Sequence, residues 1–149
     1  MASAPDRLYI DPNDRDLYEK ISSELELFHG KNRKEQFLFA MSFGFANETR
    51  IQLNKKEGFF LAKDLKIEDE TMISAVALYH EDDVDILSNK SRVYSVAEEY
   101  AHAGIKLLAD RIASVEYGSF WKQLEKDLCE AHEQLKYKDD YDNAKGSSS

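Results

Sequence analysis

Between Phe37 and Ala46 the chain carries Phe37, Leu38, Phe39, Ala40, Met41, Phe43, Phe45 and Ala46, interrupted by Ser42 and Gly44 alone. Set on a helix, these residues leave almost no polar face past the first turn. A helix apolar on nearly every side is normally enclosed in a core or a subunit interface. Asn32, just ahead of the run, suits the N-cap, where its side chain can accept from an orphan backbone N–H. This element obliges the rest of the chain, or a second copy, to supply apolar surfaces around it.

Such surfaces are readable as helical stripes. Leu17, Tyr18, Ile21, Leu25 and Phe28 recur at spacings of 1, 3, 4 and 3, the period of one helix face. Asp11-Pro12 reads as the start of that helix and Gly30 as its stop. Met72, Ile73, Val76, Leu78 and Tyr79 predict a helix over residues 69–79, and Val84–Leu87 one further turn. A long helix follows from Ser91 or Ser95. Its stripe of Val96, Ala97, Tyr100, Ala101, Gly104, Ile105, Leu108 and Ile112 contains small residues that let another helix approach closely. The last helix begins near Ser119 and carries Phe120, Trp121, Leu124, Leu128, Ala131 and Leu135. Leu8-Tyr9-Ile10 is a short extended run, and residues 50–61 fit a small hairpin or an irregular arm. The expected fold is mainly α. One compact helical domain of about five helices spans residues 1–137, with a short N-terminal strand and a polar tail at 138–149.

Several functional classes are disfavoured at once. A chain of 149 residues can bury a core without staples. The lone cysteine, Cys129, excludes a disulfide framework and a cysteine-based zinc finger within one chain. No run approaches the ~18 apolar residues of a membrane span, and Met1–Arg7 lacks the apolar stretch of a signal peptide. A cytoplasmic protein is expected.

Charge is unevenly placed. The net −9 arises in the second half: residues 1–66 hold 11 basic and 11 acidic side chains, residues 67–149 hold 9 and 18. Residues 31–66 are locally basic, so a polyanion would be attracted there and repelled elsewhere. The candidate DNA-contacting residues are Arg7, Arg33, Lys34, Arg50, Lys55 and Lys56. A short strand, a helix, a turn and a second helix follow the order of ribbon-helix-helix DNA binders, in which the strand pairs across a dimer.

For chemistry, Glu26-x-x-His29 and Glu99-x-x-His102 place a carboxylate and an imidazole on one helix face, as in di-iron bundles. Such a centre needs further inward carboxylates. His80-Glu81-Asp82-Asp83-Val84-Asp85 offers oxygen ligands but lacks the glycine and terminal glutamate of a calcium loop. Glu98 and Glu99 diverge by about 100° as helix neighbours and cannot flank one bond. Cys129 and His132 have no orienting third group. A solvated loop, a helix-end histidine and an inert cysteine explain these patterns more simply. No catalytic residue, metal site or cofactor is expected.

The run Phe37-Leu38-Phe39-Ala40-Met41-Ser42-Phe43-Gly44-Phe45, Arg50, Leu53, Ala75-Val76-Ala77-Leu78 and Ala97-Glu98-Glu99-Tyr100-Ala101-His102-Ala103-Gly104-Ile105 together resemble a small accessory family. Its members are the Dnd-system-associated proteins, encoded beside DNA phosphorothioation genes. The resemblance spans roughly residues 7–112 and is most specific at Ala97–Ile105, where His102-Ala103 departs from the Asn expected before Gly104. It implies a component of anti-phage defence islands that works with DNA-modifying or DNA-restricting proteins, and it brings no catalytic set. The first two helices also resemble the small DNA-binding subunit of that system in their apolar pattern.

Three readings follow. The first is a non-enzymatic adaptor acting by protein–protein contact, oligomeric through the second helix. It would dock partners through the acidic half and residues 97–112, with Glu98, Glu99, Tyr100 and His102 at the interface. The second is a DNA-binding regulator with a ribbon-helix-helix-like N-terminal half. The third is a small metal-dependent enzyme on the Glu-x-x-His pairs.

Overall fold

A computed structural model describes residues 4–114 and 122–133. The chain divides into two compact units, Met1–Arg111 and Ile112–Ser149. The first holds strand β1 (Arg7–Ile10), helix α1 (Asp14–Glu24), helix α2 (Arg33–Ala46), strand β2 (Glu57–Leu61), helix α3 (Ile67–Glu81) and most of helix α4 (Lys90–Ser114). Short 3₁₀ turns lie at Glu26–Phe28, Ala62–Asp64 and Val84–Ser88. In the second unit residues 122–133 are helical. The expected helix start at Ser119 and the tail at 138–149 lie outside the described residues. The fold is mainly α, as the stripes predict.

Local chemistry sets the helix ends. Asn32 takes an extended backbone and accepts the Glu35 N–H at 2.9 Å, so the predicted cap of α2 is present. Gly30 adopts φ +77°, the left-handed region that glycine enters without steric penalty. α1 ends earlier than its stripe suggests. Leu25 turns extended and Phe28 closes a 3₁₀ turn, yet both remain fully buried.

Residues 50–61 do not form a hairpin. Only Glu57–Leu61 is a strand, and it pairs antiparallel with β1 in the register Arg7↔Leu61, Leu8↔Phe60, Tyr9↔Gly58 and Ile10↔Glu57. Phe59 is the extra residue of a bulge. A bulge lets two consecutive side chains escape strict alternation, and here Phe59 and Phe60 are both buried. The same pairing departs from a ribbon-helix-helix arrangement, because the N-terminal strand finds its partner within its own chain.

The centre of the first unit is α4. Residues 96–105 are buried on every side, ten in succession. α2 is less enclosed than its composition predicts. Phe37, Ala40 and Met41 are inaccessible, but Phe39, Phe43 and Phe45 are half-buried, and Ser42 and Ala46 are exposed. The two helices touch backbone to backbone. A Cβ on Gly44 would collide with the Tyr100 carbonyl, and one on Gly104 with the Ala40 carbonyl.

Candidate functional site

The residues that the sequence singles out on α4 lie inside the molecule. Glu98, Glu99, Tyr100 and His102 are all buried, so they present little surface to a partner. Their partners lie on several other parts of the chain. Glu98 accepts the Tyr9 N–H of β1 at 2.9 Å and pairs with Lys56 at 3.0 Å. Glu99 pairs with Arg50 at 3.0 Å, and its carbonyl accepts the Ile51 N–H at 3.2 Å. Tyr100 meets the His80 ring of α3 through its hydroxyl at 3.3 Å. His102 is hydrogen-bonded to Asp14 at the start of α1 through Nδ1 and Oδ2. One helix thereby fastens the N-terminal strand, the first helix and the 50–56 arm by polar contacts.

Two atoms in this network stand out. Asp14 Oδ1 and the Tyr18 hydroxyl are buried with no hydrogen-bond partner among the described residues. Burial, helped by the nearby Asp14 carboxylate, holds the Tyr18 phenol well above its ordinary value. An unpaired buried polar group costs about 1–3 kcal/mol. Tyr18→Phe keeps the ring that packs 4.7 Å from Phe59 and discards the hydroxyl. It is expected to stabilise the fold by about 1 kcal/mol in urea unfolding, and a loss of similar size would mean that the hydroxyl is satisfied.

Glu98 supplies a pH signature. Burial pushes its carboxyl up, against the lowering influence of Lys56 and the Tyr9 N–H, with Glu99 adding to the rise. The native state therefore holds this proton more tightly than the unfolded chain does. Below the ordinary value of 4.5 the group imposes no penalty. As pH climbs through its raised value, stability is lost, and above it the loss levels off. The stability of the wild type minus that of Glu98→Gln should thus fall with pH across this window. A difference that stays flat or rises would show that Lys56 outweighs burial.

Most of the basic candidates are engaged by neighbours within the fold. Arg50 and Lys56 are taken by the two glutamates. Lys34 pairs with Asp69 of α3 at 2.8 Å, both largely enclosed. Arg7 lies 3.8 Å from Asp6. Arg33 sits over the Phe59 ring at 5.3 Å and donates to the Phe59 carbonyl at 3.3 Å. Lys55 is exposed. Arg33 and Phe59 share the wall between two open concavities of about 480 and 550 Å³. Neither concavity is lined by Asp14 or His102.

The metal-type patterns come apart in the same way. Glu26 and His29 lie exposed around a 3₁₀ turn, while Glu99 and His102 face Arg50 and Asp14. Among the described residues no three acidic, histidine or cysteine side chains form a metal-holding group. The His80–Asp85 run straddles the end of α3 and the next 3₁₀ turn, where Asp83 accepts the Asp85 N–H and Glu81 pairs with Arg92. Cys129 is exposed.

One surface is anomalous. α3 buries Ile73, Val76 and Ala77, yet Ile67 is 85% exposed, Tyr79 70% and Met72 43%. In the following 3₁₀ turn Val84 is 68% exposed and Leu87 39%. Apolar residues thus occupy both sides of α3, where a surface helix ordinarily keeps one side polar. The Tyr79 ring is held edge-on by Phe45 of α2 at 5.2 Å, so it has a defined position.

A family model described as DNA sulphur modification system-associated protein 4 matches residues 12–145. The chain belongs to this family. The match runs from the turn before α1 to beyond residue 133, so Asp14, Tyr18, α3 and all of α4 fall within it, while β1 with Tyr9 lies ahead of it. The family description ties the chain to a DNA sulphur modification system, in agreement with the resemblance seen in the sequence. No curated protein and no solved structure matches the chain. Among the described residues no helix is long and apolar enough to cross a membrane.

Asp14 was not legible as the partner of His102, because 88 positions separate the two. The outer face of α3 did leave a trace. Met72 and Tyr79 share one broad apolar arc with Ile73 and Val76, and Leu78 lies outside it.

Proposed function

We propose that this protein is a non-enzymatic accessory component of a DNA sulphur modification system, serving anti-phage defence by holding other proteins of that system. The observation that carries the reading is the uncovered apolar side of α3 and its 3₁₀ turn, Ile67, Met72, Tyr79, Val84 and Leu87. Large apolar side chains left exposed in such number on one segment mark interaction sites. Family membership supports partners drawn from the same system. The titratable side chains on α4 are engaged in joining elements of the fold, which favours a binding role over a catalytic one.

The test is affinity capture of the tagged full chain from cells carrying the modification genes. The wild type is expected to retain proteins of the system. Ile67→Asp with Val84→Asp should reduce capture by about tenfold while unfolding stays within about 0.5 kcal/mol, as is usual for exposed positions. Undiminished capture by this variant would remove the α3 surface from the proposal.

A further inference from the structure

Which partner suits this surface is written in its charge. The segment Ile67–Ser88 holds seven carboxylates and no lysine or arginine. Lys34, Lys90 and Arg92 reach in from other elements to Asp69, Glu70 and Glu81. Glu68, Asp82, Asp83 and Asp85 remain exposed, with no ion pair among the described residues. Glu68 lies in the first turn of α3, where a negative charge is favoured. Asp82, Asp83 and Asp85 follow the last turn, at the negative end of the helix dipole, where a cation is wanted and three anions stand.

The same segment concentrates apolar exposure. Five of the seven large apolar side chains exposed among the described residues fall between Ile67 and Leu87. Ile67, Thr71, Ala75 and Tyr79 are spaced by four and all exposed, so they share one side of the helix, with Met72 alongside.

We infer that the outer face of α3 and the Val84–Ser88 turn receives a basic amphipathic helix of a partner protein, whose apolar side covers Ile67, Met72 and Tyr79 and whose lysines or arginines meet the unpaired carboxylates. This rests on the docking role proposed above and specifies the chemistry of the partner. A second copy in a two-fold pairing would set one acidic patch against another. Nucleic acid and anionic lipid would be repelled for the same reason.

The probe is a fluorescent leucine–lysine amphipathic peptide of about 18 residues, long enough to be helical, and its leucine–glutamate counterpart. Anisotropy with the full chain should show saturable binding of the lysine peptide only, weakening as salt is raised. Asp82→Asn, Asp83→Asn and Asp85→Asn together should weaken binding by about tenfold and flatten the salt dependence. Tyr79→Ser should also weaken it by about tenfold. Neutralising three exposed carboxylates of α1 (Asp16→Asn, Glu19→Gln and Glu24→Gln) should change it less than about twofold.

Equal loss in that control, or equal binding of both peptides, would reduce the effect to net charge or greasiness and overturn the inference. Self-association abolished by Tyr79→Ser in sedimentation would assign the surface to a second copy instead. Failure of the lysine peptide alongside Ile67- and Val84-dependent capture of system proteins would sink the basic chemistry and leave the docking role standing. Failure of both would sink the two together.

Discussion

Gly104→Ala is expected to lower stability by about 2 kcal/mol or more, although alanine is the better helix former by about 1 kcal/mol. The added methyl would collide with the Ala40 carbonyl oxygen and lie 2.8 Å from both the Ala40 carbonyl carbon and the Gly44 nitrogen. All three are backbone atoms of α2, so no side chain can rotate out of the way. The helices must separate, and the contacts of Phe37, Ala40 and Met41 loosen with them. Overpacking a tight core costs typically 1–3 kcal/mol, occasionally more, and a rigid obstacle belongs at the upper end. Gly44→Ala meets the Tyr100 carbonyl from the other side of the same crossing, with Gly104 nitrogen at 3.1 Å. Once the helices have moved apart for one methyl, the second meets less resistance. The double variant should therefore cost less than the sum of the singles. Urea unfolding followed by circular dichroism measures all three. An unchanged or raised midpoint for Gly104→Ala would mean that α2 and α4 do not touch through their backbones.

This crossing also separates what the sequence displays from what it conceals. The cap at Asn32, the left-handed Gly30, the short turn after α3 and the small residues of α4 are local features, and each is where the residues place it. The rank of the helices is not local. Apolar content marks Phe37–Ala46 as the most enclosed segment, yet Phe39, Phe43 and Phe45 keep some contact with solvent. α4 carries Glu98, Glu99 and His102 and is enclosed throughout residues 96–105. Buried polar side chains are tolerated only with partners. These partners are the Tyr9 N–H and Asp14, 89 and 88 positions away, and Arg50 and Lys56 on an arm without periodicity. Without that pairing in view, two glutamates and a histidine look like a surface, and the lysine and arginine that neutralise them look like a face for DNA. The strand pairing was hidden for a similar reason. Phe59-Phe60-Leu61 defies alternation because of a bulge, and only the register with β1 shows why.

His102→Leu is expected to cost about 3 kcal/mol, because it leaves the buried Asp14 carboxyl group without a hydrogen-bond partner. The side chains of His102 and Asp14 retain only 4% and 1% of their exposure. Loss of the imidazole would leave Asp14 with neither oxygen bonded, since Oδ1 already has no partner among the described residues. Asp14→Leu should cost a similar amount by orphaning His102, and it also removes a carboxylate from the first turn of α1, where the helix dipole favours one. Replacing both with leucine removes the orphaned polar group along with its hydrogen bond, and apolar substitutes for buried polar pairs are often close to neutral. The double variant should therefore lie within about 2 kcal/mol of wild type, far short of the summed singles, which a double-mutant cycle in urea would measure. Additive losses would show that the two side chains act independently. The rescued double variant also separates architecture from function. If the protein works through the outer face of α3, a folded chain without the pair should capture the same proteins as wild type. If capture vanishes while the fold survives, Asp14 and His102 take part in the activity itself, and the interior of α4, not the surface of α3, becomes the place to look for it.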